Sequence, residues 1–187
     1  MITIDDLPVF TDVDSQVSFV DSGTEAKIFM INRERGLVAK VYFNLFWNNQ
    51  PYEYLRGERL FSPETICYAK REFSIAEKLY SAGVSVPKPE GLFALSLPRL
   101  GIQRIPAFVM QYVDGKNFGS LPGEWCMRAK EAFQSELAKA ITAGFTPADD
   151  ALPDWNVLYT VINNDDVKAV LFDFGGWKEK KKGLSLL

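Results

Sequence analysis

The segment that most constrains the fold lies near the end of the chain, where residues 170–176 are Val-Leu-Phe-Asp-Phe-Gly-Gly. A short apolar run that ends in one carboxylate and two glycines predicts a strand that delivers Asp173 to a loop. Upstream, Asn156 begins a second strand-like run, and the polar residues 163–166 predict a turn between the two runs. The pattern therefore predicts a hairpin in which Asn156 and Asp173 lie side by side.

These two side chains both offer oxygen atoms to a ligand. Mg²⁺ in proteins is held by one or two protein oxygens, while phosphate oxygens and waters complete its coordination shell. Asn156 and Asp173 are therefore candidate magnesium ligands. On these residues alone, a hairpin that carries an incidental acid remains the alternative.

Composition excludes several kinds of chemistry. The chain has no histidine, which removes Ser-His and Cys-His nucleophilic catalysis and histidine-bound metals. Cys67 and Cys126 form no paired-ligand motif, so neither a zinc site nor a disulfide scaffold is expected. A net charge of -3 and a pI of about 5.1 predict no nucleic-acid partner. Acid–base chemistry must therefore come from carboxylates, Lys, Tyr or Cys.

Length and hydropathy set the expected class of protein. The 187 residues suffice for one ordinary domain or for two small lobes that share a cleft. No apolar run approaches membrane-spanning length, and the N-terminus lacks the basic and apolar regions of a signal peptide. We therefore expect no membrane partner and a cytoplasmic location.

The first half of the chain predicts strands around one helix. Residues 17–43 contain three apolar runs separated by glycine-containing turns, which predicts an antiparallel meander whose third strand carries Lys40. A serine and Pro63 start a helix that Gly83 ends. Strands are then expected at residues 92–97 and 106–112.

Glu72 lies inside the apolar stripe of this helix. A carboxylate on the buried edge of a helix needs a partner, and Lys40 on its apolar strand is the candidate. The alternative is that Glu72 lies at the margin of the stripe and that both side chains are solvated.

The second half predicts another helix and then the hairpin. From residue 124 to residue 145 apolar side chains recur at four-residue steps, which predicts a helix whose stripe serves core packing: Trp125, Ala129, Phe133, Leu137, Ile141 and Phe145. An acidic loop at residues 146–155 leads into the hairpin. The expected class is α+β, with a first lobe of residues 1–113 and a second lobe of residues 114–187.

The order of these features resembles the protein-kinase-like superfamily, and the resemblance runs from about Val17 to Trp177. The motifs at residues 22–26, 69–73 and 82–89 are similar to those of the RIO and KEOPS-complex atypical kinases, and small bacterial effector kinases are similarly reduced. The resemblance implies a minimal two-lobed fold, with an antiparallel N-lobe sheet, one helix and a reduced helical C-lobe. For an effector kinase the implied location is the host cytoplasm.

The resemblance also implies roles around ATP and Mg²⁺. Lys40 corresponds to the strand lysine that grips the α- and β-phosphates, and Glu72 to the helix glutamate that orients it. Gly23 corresponds to the phosphate loop. Asn156 and Asp173 correspond to the two metal ligands.

The strand that leaves the first lobe resembles the inter-lobe hinge. Met110 is expected to be the gatekeeper, and the backbone of Gln111 and Val113 is expected to bind adenine. The chain ends soon after Gly175, at residue 187, so neither an activation segment nor a large helical substrate platform is expected.

The catalytic base is the feature that departs most from the family pattern. The family places an Asp, then four residues, then the metal-binding Asn, but position 151 is Ala here. A one-residue insertion lets Asp150 act as the base, and we prefer it to Asp149 or Asp154. Asp150, Lys40 and Asn156 are thus the expected catalytic residues.

Three classes of function are compatible with this pattern. The first is a minimal kinase that phosphorylates Ser, Thr or Tyr of a protein substrate. The second is a small-molecule kinase of the aminoglycoside phosphotransferase type, and the third is a pseudokinase that binds nucleotide or protein. Retention of Lys40, Glu72, Asn156 and Asp173 favours an active enzyme, because a pure scaffold needs no such set.

Alanine substitutions at Asp149, Asp150 and Asp154 test the assignment of the base. We expect Asp150→Ala to lower turnover at saturating ATP by about 100-fold or more, since a positioned general base contributes at least that much. The other two variants should retain most of the turnover. Loss of turnover in Asp154→Ala, with near-normal Asp150→Ala, would show that this alignment of the loop is wrong.

Overall fold

The computed structural model describes residues 3–22, 26–42, 63–98, 102–147, 156–163 and 166–180. It has two long helices, α1 (Pro63–Ser81) and α2 (Cys126–Thr142), and a mainly antiparallel sheet, which confirms the predicted α+β class. The chain forms two compact units, Met1–Phe73 with Lys88–Tyr112 and Ser74–Pro87 with Val113–Leu187. Residues 74–87, which the sequence analysis assigned to the first lobe, group with the second unit.

The first unit contains a six-stranded sheet with the order β1-β5-β6-β4-β3-β2. Its strands are β1 (Val9–Phe10), β2 (Ser18–Ser22), β3 (Ala26–Asn32), β4 (Leu37–Tyr42), β5 (Pro89–Leu97) and β6 (Ile102–Gln111). The meander predicted for residues 17–43 is present as β2 to β4. Among these strands, only β1, at the edge, runs parallel to its neighbour. It has two residues, which are too few for a periodic sequence pattern to predict a strand.

Strand β4 is buried along its whole length, because it lies between β3 and β6 inside the sheet. Successive side chains on a strand point to opposite faces. Ala39 and Val41 join the apolar cluster on one face. Lys40 and Tyr42 therefore point to the other face, where α1 supplies their partner.

Helix α1 ends as the sequence predicts. Gly83 has φ +76°, and the Val84 N–H donates to the Leu79 carbonyl at 3.0 Å, so the last turn closes on a glycine in the left-handed region. The chain then leaves in extended form through Val84, Ser85 and Val86, which belong to the second unit.

The second unit contains two small pairs of strands beside α2. The predicted hairpin is present as β8 (Val157–Asn163) and β9 (Asp166–Leu171), with Val157 opposite Leu171. A second antiparallel pair joins β7 (Phe145–Thr146) to β10 (Lys178–Glu179). Helix α2 packs against β9.

The predicted core stripe of α2 is wrong at Ile141, and the helix ends at Thr142, so that Phe145, which is buried, lies in β7. A four-residue step advances about 40° more than one helical turn, so side chains at that spacing drift around the helix. Ile141 is consequently 44% exposed. The residues that are buried alternate four- and three-residue steps, and they are Ala129, Phe133, Glu136 and Ala140.

Glu136 is a buried carboxylate that the sequence analysis missed. Its Oε2 accepts the Ser85 N–H at 2.8 Å, and its Oε1 accepts a hydrogen bond from Lys139 Nζ at 2.7 Å. The Ser85 carbonyl accepts the Leu171 N–H at 2.9 Å. Glu136 thus holds the segment after α1 beside the end of β9.

Within the described ranges, no helix is both long enough and apolar enough to cross a membrane.

Replacing Glu136 tests its part in holding this segment. We expect Glu136→Ala to lower the free energy of unfolding by about 1–3 kcal/mol, because the Ser85 N–H loses its acceptor. Glu131→Ala, at an exposed position of the same helix, is the control and should change it by less than about 0.5 kcal/mol. Equal effects of the two substitutions in urea unfolding would contradict this role.

Candidate functional site

The first unit contains the predicted ion pair between Lys40 and Glu72. Lys40 Nζ lies 2.7 Å from Glu72 Oε1, and the two side chains are 11% and 1% exposed. Strand β4 brings the ammonium to the face covered by α1, and the apolar stripe of α1 brings the carboxylate. The alternative that both side chains are solvated is therefore wrong.

Tyr42 completes this cluster, and the sequence analysis did not single it out. Its hydroxyl donates to Glu72 Oε2 at 2.8 Å, and Lys40 Nζ lies 5.6 Å from the centre of its ring. Tyr68 of α1 packs edge-on against the ring. The two-residue spacing of Lys40 and Tyr42 could have indicated it, because both side chains must lie on the same face of β4.

This cluster is not an efficient way to stabilise a fold. Removing a carboxylate and an ammonium from water costs several kcal/mol per ion, and replacing a buried pair by apolar residues is often neutral or stabilising. Removing a single partner, by contrast, costs about 3–5 kcal/mol, since the other charge stays buried. The placement of Lys40 and Glu72 therefore points to a role in binding or chemistry.

The predicted hinge begins at the end of β6. Met110 is buried opposite Val38, and Gln111 lies opposite Leu37. The Gln111 N–H donates to the Lys88 carbonyl at 2.9 Å, so this N–H already has an acceptor within the first unit. Val113 is half-buried at the start of the longer segment of the second unit. The roles of Met110, Gln111 and Val113 stay predictions.

In the second unit, the hairpin brings Asn156 next to the segment that carries Asp173. The Phe172 N–H donates to the Asn156 carbonyl at 3.0 Å, directly beyond the pairing of β8 with β9. Both Asn156 and Asp173 are half-buried. The adjacency predicted from the sequence is confirmed, and the role as metal ligands stays a prediction.

Asp173 has a backbone conformation that few residues with a Cβ adopt. Its φ is +62°, in the left-handed region, where Asp and Asn are tolerated better than most residues. Phe174 and Trp177 follow and are both buried, with their ring centres 5.5 Å apart. The backbone N–H of Trp177 donates to the Phe174 carbonyl. Such conformations persist where the surrounding packing imposes them, and they cluster at functional sites.

The donor atoms at this position fit magnesium. A carboxylate and a side-chain amide are hard oxygen donors, which suit Mg²⁺ and not a thiolate- or imidazole-binding metal. In the part of the chain that the structure describes, no group of three or more His, Cys, Asp or Glu residues could hold a metal. Because Mg²⁺ in proteins keeps waters and phosphate oxygens in its shell, Asn156 and Asp173 would share the ion with them.

Four residues of the predicted site lie outside the described residues. They are Gly23 of the phosphate loop and the three candidate bases, Asp149, Asp150 and Asp154.

Paired substitutions at position 173 test the strain in its backbone. Asp173→Gly and Asp173→Ala both remove the carboxylate, but only alanine keeps a Cβ at positive φ. We expect the glycine variant to be the more stable by about 1 kcal/mol in urea unfolding, since the left-handed region disfavours a Cβ. Equal stability, or a more stable alanine variant, would contradict the strained conformation.

The sequence matches no protein-family model and no curated protein. The fold, however, matches solved structures of Rio2 kinase from Chaetomium thermophilum. For the Rio2 kinase-ADP/Mg²⁺-phosphoaspartate complex, the TM-score is 0.58 at 15% identity, over 90% of this chain and 49% of that one. For Rio2 kinase itself, the TM-score is 0.59 at 15% identity, over 90% and 50%.

This chain thus spans about half the length of the Rio2 chains. The match covers nearly all of the chain, and it agrees with the resemblance drawn from the order of the sequence motifs. The chain therefore has a fold similar to that of Rio2 kinase, a protein-kinase-like fold.

Proposed function

We propose that the protein is an ATP- and Mg²⁺-dependent phosphotransferase, a minimal atypical kinase that phosphorylates a Ser, Thr or Tyr hydroxyl of a protein. The observation that carries the proposal is the ion pair of Lys40 and Glu72, buried and only 2.7 Å long. Phosphoryl transfer needs little covalent chemistry from the protein and depends on positioning and charge neutralisation. An oriented lysine inside a sheet supplies both.

In this proposal Lys40 binds the α- and β-phosphates of ATP while Glu72 fixes the direction of its ammonium. Asn156 and Asp173 hold Mg²⁺. The bound ion neutralises charge on the phosphate oxygens. The backbone of Gln111 and Val113 binds the adenine. The Gln111 N–H takes no part in this, because it donates to the Lys88 carbonyl.

The acceptor is proposed to be a protein hydroxyl, with Asp150 as the base that takes its proton. The kinase-like fold supports the reaction class, and one of the matching structures is described as a complex with ADP and Mg²⁺. A small-molecule acceptor and a nucleotide-binding module without transfer activity are the other two outcomes that the assay below separates.

Nucleotide binding is tested first, by thermal unfolding with and without ATP and Mg²⁺. A ligand at about 100 times its Kd stabilises the folded state by about 2.7 kcal/mol, which raises the Tm of a chain of this size by roughly 5–10 °C. Asp173→Asn preserves the backbone preference but removes the charge, so it should lose the Mg²⁺-dependent part of the shift. No shift of the wild type at millimolar ATP would contradict the proposal.

Transfer is tested with ATP labelled at the γ-phosphate, alone, with a cell lysate, and with small hydroxyl compounds. Labelled protein that disappears in Lys40→Met supports the proposed kinase. Label that appears only on small molecules assigns a small-molecule kinase instead. Nucleotide binding without any transferred label assigns a binding module and contradicts the proposed activity.

A further inference from the structure

Both oxygens of the Glu72 carboxylate accept a hydrogen bond. Oε1 accepts from Lys40 Nζ at 2.7 Å, and Oε2 accepts from the Tyr42 hydroxyl at 2.8 Å. Tyr42 is fully buried, and Glu72 is 1% exposed. Each oxygen of this buried carboxylate therefore has a protein donor, and Tyr42 and Lys40 reach it from the same face of β4.

The hydrogen bond from Tyr42 to Glu72 matters when Lys40 also interacts with a second anion. A phosphate beside Lys40 competes with Glu72 for the ammonium, and a buried carboxylate that loses part of its neutralising partner becomes costly. The Tyr42 hydroxyl carries no charge and stays on Oε2. It thus keeps one oxygen satisfied and fixes the plane of the carboxylate, which leaves the other oxygen directed at Lys40.

We infer that Tyr42 is a positioning residue of the phosphotransfer site, which acts on Lys40 through Glu72. The inference rests on the proposed function, since the reaction that it would assist is the proposed one. Tyr42 is not expected to contact the nucleotide. Its effect should therefore fall on turnover and hardly on the affinity for ATP.

Tyr42→Phe removes the hydroxyl and keeps the buried ring. We expect kcat to fall about tenfold, because a hydrogen bond to a charged group is lost and the direction of Lys40 is less well defined. The Kd for ATP, measured by titration with Mg²⁺ present, should change by less than about twofold if the interaction mainly serves the transition state. Folded content is checked by circular dichroism at the assay temperature.

A cycle with Glu72→Gln separates positioning from general destabilisation. If Tyr42 acts through Glu72, adding Tyr42→Phe to Glu72→Gln should lower kcat no further. Tyr159→Phe in the second unit is the control, since Tyr159 is 1% exposed and its substitution also removes a hydroxyl from a buried tyrosine. It should leave kcat within about twofold of the wild type if only the Glu72 contact matters.

Each outcome of this experiment bears on the inference in a defined way. A tenfold loss of kcat in Tyr42→Phe that vanishes in the Glu72→Gln background supports it. Wild-type kcat in Tyr42→Phe, or the same loss in both backgrounds, overturns the inference while the proposed function stands. A wild-type protein that binds ATP but transfers no phosphate overturns the proposed function itself, and the inference with it.

Discussion

A buried charge constrains the first unit, because Lys40 lies in the middle of the sheet and has to be paired there with Glu72. Strand β4 is buried because it lies between β3 and β6, with an apolar cluster on one face and α1 on the other. An ammonium in that position must be neutralised, and the Glu72 carboxylate does so at hydrogen-bond distance, while the Tyr42 hydroxyl donates to the other oxygen of Glu72. The sheet and α1 are thus joined by a buried polar contact, although apolar packing alone could join them. Such an arrangement is understandable if Lys40 is there for a ligand.

In the second unit, backbone hydrogen bonds determine where Asn156 and Asp173 lie. The ladder of β8 and β9 ends at Leu171, the Phe172 N–H bonds to the Asn156 carbonyl, and Asp173 follows in the left-handed region. Ser85 holds the same end of β9. Its carbonyl accepts the Leu171 N–H, and its own N–H donates to Glu136. The position of the Asp173 backbone is therefore fixed by hydrogen bonds on both sides of the end of β9.

The sequence predicts those features that a short periodic pattern determines. An acid inside an apolar helix stripe and a lysine on an apolar strand make Lys40 and Glu72 candidate partners, but that pattern leaves solvated side chains as the alternative, and the resemblance to kinases favours the pair. Two apolar runs around a polar turn predict the hairpin. Tyr42 was missed because a tyrosine on a strand is common in any core. Glu136 was missed because four-residue steps drift around a helix and hide which positions face inward. The positive φ of Asp173 was not predicted, because Asp adopts the left-handed region in only a minority of its positions.

If the cluster of Lys40, Tyr42 and Glu72 serves nucleotide chemistry and not stability, apolar residues should be able to replace it without a loss of stability. Urea unfolding of the wild type and of the triple variant Lys40→Met, Tyr42→Phe, Glu72→Leu, each with and without ATP and Mg²⁺, tests this directly. We expect the triple variant to unfold with the same or a higher free energy than the wild type in the absence of nucleotide, and to gain no stability from nucleotide. A variant that loses several kcal/mol of stability while keeping the full stabilisation by ATP would contradict this expectation.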